Sequence, residues 1–119
     1  MYGLKPDDIT HLQSTLHQAT LRQVCVGQFD LQFHFHPSGN VTVEGRCELI
    51  NANGEFVECW QRGTRSQSFR ILDLLGSVVA EVAIDTPKSF SLVFENSQVL
   101  RVIDDSEHYE SFSVGELIV

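Results

Sequence analysis

Two histidines, His34 and His36, have the spacing of a chelating pair. On a strand, residues two apart project from the same side, so both imidazoles would reach one ion. A metal site needs a third ligand and usually a fourth, and Asp30, His11, His17 and His108 are residues of the right type. No spacing ties any of them to the pair. The run Asp30, Gln32, His34, His36 reads equally well as the water-facing side of a hairpin.

Cys25, Cys47 and Cys59 are an odd number with no C-x-x-C spacing, which argues against a disulfide framework and for a reducing compartment. Alternation places Cys47 inward and Cys25 and Cys59 out of phase with the apolar face. No neighbouring base marks any of them as a nucleophile. The densest polar run is Asp104-Asp105-Ser106-Glu107-His108-Tyr109-Glu110. It lacks the register and terminal glutamate of a calcium loop. The run reads as a solvated acidic turn or, through Asp104, Asp105, Glu107 and Tyr109, as candidate contacts to a basic partner. Glu110 shares a face with Phe112 and Val114, so it needs an arginine or the free amides of a helix start. Arg62, Arg65 and Arg70, beside Trp60, form the basic cluster. Phosphate-cradling and hydrolase strings (G-x-G-x-x-G, P-loop, G-x-S-x-G, H-E-x-x-H) are absent from the sequence. Neither an enzyme nor a cofactor is expected.

The chain has 119 residues and a formal charge of -8, enough length for a single domain (1–119) with one core. Residues 76–119 hold eight acids against two bases, while residues 1–75 hold eight against six. Such a balance repels nucleic acid and anionic lipid and favours basic partners, or simply keeps a small protein soluble. Apolar runs are far shorter than the roughly 20 residues that span a bilayer. The first six residues lack the apolar core of a secretory signal, so a cytoplasmic location is expected.

Leu12 and Leu16, with Ile9, predict an amphipathic helix over 6–19, started by Pro6-Asp7-Asp8. Period-two alternation follows through Val24, Leu31, Phe33 and Phe35. Val41, Val43, Gly45, Cys47 and Leu49 read as one face of a single long strand. Asn53-Gly54 predicts a two-residue turn that puts Phe56 and Trp60 on the Cys47/Leu49 face. A second short helix is expected over Phe69 to Leu75, stopped by Gly76. The text Phe29-Asp30-Leu31-Gln32-Phe33 recurs as Phe90-Ser91-Leu92-Val93-Phe94, each followed by a turn and a strand. Two halves, about 6–60 and 67–119 with a linker over 61–66, thus read as a duplication. The expected fold is α+β: duplicated helix-plus-antiparallel-strand units forming a mostly antiparallel sheet or half-barrel of about six or seven strands with two helices.

Leu74-Leu75-Gly76, the second hairpin and Tyr109-Glu110-Ser111-Phe112 resemble a pattern in small bacterial proteins of unknown function. There a Leu-x-Gly turn, an L-x-F-x-(D/N)-G-x-x-L-x-V hairpin and a closing Tyr-Glu-(Ser/Ala)-aromatic strand recur. This chain has Asn96-Ser97 where that pattern has its turn glycine. The resemblance implies a small bacterial β-rich domain and no activity. The expected function is non-enzymatic binding of a basic protein, in its most concrete form as a toxin-neutralising immunity protein. A metal or small-ligand centre at His34 and His36, and a homodimeric structural module, are the alternatives.

Overall fold

The computed structural model describes residues 8–61, 70–86, 88–103, 112–114 and 117–118, the last two segments as backbone. Helix α1 (Asp8–Leu16) leads into β1 (Thr20–Val26), β2 (Leu31–His36), β3 (Asn40–Val43), β4 (Arg46–Ile50) and β5 (Phe56–Gln61). A 3-10 turn, Arg70–Leu74, precedes β6 (Val79–Thr86), β7 (Ser89–Phe94) and β8 (Val99–Ile103). The short strands β9 (Phe112–Val114) and β10 (Leu117–Ile118) follow. The strands form two antiparallel sheets, ordered β1-β2-β3-β9-β10 and β5-β4-β8-β7-β6. Their inner faces share one core, in which Leu31, Phe33 and Val41 of the first sheet join Cys47, Phe90, Leu92 and Leu100 of the second.

The expectation of an α+β fold with antiparallel pairing is met, and its finer form is corrected. Among the described residues there are two sheets in place of one sheet or half-barrel, and eight strands of four or more residues where about six or seven are expected. Among the described residues there is one α-helix. The second expected helix is a five-residue 3-10 turn, which buries Ile71 and Leu74 while leaving Leu72 and Leu75 exposed.

The long strand predicted over Val41 to Leu49 is two strands in different sheets. Burial alternates without interruption from Val41 to Ile50, so the chain turns the corner at Glu44-Gly45 while its inward side stays on one core. The alternation that identified the strand therefore hid the change of sheet. The Asn53-Gly54 turn is also wider than predicted. Asn51 N bonds Glu55 O at 2.9 Å, and the Asn51 side chain accepts from the amides of Asn53 and Glu55. A register shift next to Ile50 then turns Phe56 outward, 58% exposed, while Trp60 lies inward opposite Cys47.

The β1–β2 and β6–β7 hairpins pair alike at the backbone over most of their length. Leu21 pairs with Phe35, and Val79 with Phe94; each is followed at once by a register shift. Past the shift, Val24 pairs with Phe33 and Val82 with Leu92. Each hairpin closes alike, Phe35 N to Gly39 O at 2.8 Å and Phe94 N to Gln98 O at 2.9 Å. This match equates Phe35 with Phe94, two residues later than the repeated text had it. Phe29 lies outside β2 and is 51% exposed.

Helix exits match too. Ala19 N bonds Leu16 O at 3.0 Å and Ser77 N bonds Leu74 O at 2.9 Å. Gln18 and Gly76 occupy the same place with φ of 64° and 86°. Ser97, in the β7–β8 turn, also has positive φ, 72°. It stands where the resembling pattern has glycine, and an L-residue is strained there. Ser97→Gly is expected to stabilise the chain by about 0.5–1 kcal/mol, seen as a rise in melting temperature.

Candidate functional site

The outer side of the first sheet carries a chain of polar side chains. Gln32 Nε2 donates to Asp30 Oδ2 at 2.9 Å, which aims Gln32 Oε1 at His34 Nε2, 3.2 Å away. His34 Nδ1 lies 2.9 Å from Asn40 Oδ1. The register explains the arrangement, because β2 sets His34 beside Asn40 on β3 and Gln23 on β1. Both ring nitrogens of His34 thus face amide oxygens. An ion coordinated there must displace one of them. His36, the last residue of β2, is exposed.

Of the other candidate ligands, His11 and His17 lie on or just after α1, away from β2 in sequence order, and His108 is outside the described residues. Among the described residues no three His, Cys, Asp or Glu side chains come together as a metal set.

The outer side of the second sheet holds a charged row that sequence reading missed. Glu48 on β4 stands opposite Arg101 on β8, which stands opposite Ser91 on β7. Arg46 Nη2 meets Glu48 Oε2 at 2.8 Å, and Arg101 lies 3.8 Å from Glu48 Oε1 and 3.6 Å from Asp85 Oδ2. Ser91 Oγ donates to Asp85 Oδ2 at 2.5 Å. Two guanidinium groups balance two carboxylates across four strands. Arg46 and Glu48 lie on the face opposite Cys47 and Leu49, and the strand order brings Arg101 beside them. Beside this row, Ile50, Val99 and Val93 form an outward, half-buried apolar row.

Glu58 is an inward-side carboxylate held by free backbone amides, the kind of partner expected for Glu110. It lies on the inward side of β5, opposite Leu49, and accepts from the amides of Arg70 at 2.7 Å and Ile71 at 3.2 Å. These are the orphan donors of a helical start. The signal was present, since alternation places Glu58 on the same face as Trp60. Glu110 and the candidate contacts Asp104, Asp105, Glu107 and Tyr109 lie outside the described residues, as do Arg62 and Arg65. Trp60 is buried at 5% exposure, and Arg70 pairs with Asp73 at 2.9 Å.

The three cysteines are free, with Cys47 buried and Cys25 and Cys59 half-buried. Burial pushes the Cys47 thiol up to about 12. A thiol whose folded pKa is raised stabilises the fold fully below its unfolded pKa. That stability is lost as pH rises toward the folded value, at about 1.4 kcal/mol per pH unit. Melting temperature is therefore expected to fall above about pH 9, and Cys47→Ala, although less stable at pH 7, should lose less between pH 8 and 10 than the parent chain. Equal losses in both chains would refute this.

An open groove of about 450 Å³ runs between α1 and β6, lined by Thr10, Gln13, Ser14 and His17 on one side and Ala80 to Val82 on the other. No described helix is long and apolar enough to cross a membrane. Among the described residues, two antiparallel sheets and one α-helix make the fold α+β. No family model, curated protein or solved structure matches the chain.

Proposed function

We propose that the protein is a non-enzymatic protein-binding domain that engages a basic partner through its acidic second half. The observation that carries this reading is the charge of residues 76–119, eight acids against two bases. Matched positions of the two halves support it. Where the first half has Gln23 and His36, the second has Glu81 and Glu95, both exposed. Asp30 and Ser89, and Thr42 and Arg101, run the other way. Asp104, Asp105, Glu107 and Tyr109 extend the acidic surface in sequence, and carboxylates so clustered speed and orient the approach of a cationic protein.

The most concrete form of the reading is an immunity protein that neutralises a toxin. The test is titration calorimetry against the purified product of the neighbouring gene at low and high salt. Binding that weakens at least tenfold in Asp104→Asn/Asp105→Asn/Glu107→Gln supports the reading. Binding unaffected by these changes and by salt, or no heat at all, contradicts it. The His34/His36 alternative has less support, because the imidazole of His34 is already held by Gln32 and Asn40.

A further inference from the structure

We infer that the chain is a tethered two-fold pair, in which each half supplies three strands to one sheet and a two-stranded hairpin to the other. Strands β1-β2-β3 of the first half are continued by β9-β10 of the second. Strands β8-β7-β6 of the second half are continued by β4-β5 of the first. Each sheet is completed by the opposite half. The surface each half offers is the open edge of its third strand, β3 or β8, and the partner that fits it is the hairpin of another half-unit.

A junction at which matched residues meet each other is the signature of a two-fold axis. Thr20 and Val78 are matched, and they pair with each other as the bridge between the sheets. The flanking bonds come in reciprocal couples. Leu21 N donates to Ser77 O at 2.9 Å, and Val79 N to Ala19 O at 2.9 Å. Gln18 N donates to Val79 O at 2.8 Å, and Gly76 N to Leu21 O at 2.8 Å.

The hairpins obey the same relation. Cys47 and Leu49 of β4 sit opposite Val102 and Leu100, while Phe112 and Val114 of β9 sit opposite Val43 and Val41. Matched positions buried in both halves stay apolar: Leu16 and Leu74, Leu31 and Phe90, Phe33 and Leu92. Matched outward positions do not keep their chemistry, for His34 answers to Val93 and Thr42 to Arg101. Burial in a shared core accounts for the first pattern. The second leaves the outer faces free to diverge.

If the halves complete each other, they should behave as two subunits once the tether is cut. A protease site introduced within 62–69 of the full chain, at either of two positions so that one tolerated insertion suffices, provides the test. Before cutting, the melting midpoint is expected to be independent of protein concentration. After cutting, the fragments should remain a 1:1 particle with the uncut circular dichroism spectrum, melting in one transition whose midpoint rises with concentration. Dissociation with both halves unfolded would also agree with mutual dependence. Two separate melting transitions, or dissociation that leaves either half folded, would overturn the inference.

Discussion

Phe90→Ala is expected to destabilise the chain by about 3–5 kcal/mol, the cost of emptying an aromatic site that the core cannot refill. Phe90 is fully buried on β7, an inner strand of the second sheet, and is paired with Ile84 and Val102. The repeated text equates it with Phe29, whereas the backbone match equates it with Leu31. Phe29→Ala, at a site 51% exposed, should therefore cost under about 1 kcal/mol. Urea unfolding of the two variants decides between the alignments. Comparable losses would favour the textual one.

Gly39→Ala is the second large effect, at about 2–4 kcal/mol. Gly39 has φ of 111°, where an L-residue is strained. A Cβ there would also lie 3.0 Å from Leu16 Cδ2, 3.1 Å from Thr15 Cγ2 and 3.2 Å from the Thr15 carbonyl oxygen. The end of α1 is thus seated on the β2–β3 turn, and an added methyl forces the two apart. The expected readout is a lower melting temperature with loss of α1 signal. A change no larger than that of an ordinary surface substitution, about 0.5 kcal/mol, would refute the contact.

Period-two alternation made most of the inner faces legible. Leu31, Phe33 and Phe35 point inward as read, and so do Cys47, Leu49 and Trp60, and Phe90, Leu92 and Phe94. It set Cys47 and Cys59 on opposite sides, as their register confirms. Alternation cannot say which sheet a strand joins, because both sheets present the same pattern to one core. The corner at Glu44-Gly45 was invisible for that reason, and with it the meeting of Glu48 and Arg101. Helical spacing found α1 through Leu12 and Leu16. It overran at the second helix, where a 3-10 turn held by Glu58 takes the place of a longer α-helix.

The histidine face was legible as a face, and its partners were not. His34 and Gln32 alternate on β2, but Asn40 comes across the hairpin through register alone. The charge asymmetry of the second half could be read from the sequence directly. A partner could not, since association depends on surface shape that a single sequence does not display.

Native-state hydrogen exchange on the full chain tests the central claim most directly, that two exchanged halves form one cooperative unit. Amides in the β3–β9 and β4–β8 ladders should share one opening free energy, equal to that of global unfolding by denaturant. If β1-β2-β3 and β6-β7-β8 instead open with distinct free energies, or if β9 shows no protection while β3 does, the reciprocal architecture is contradicted.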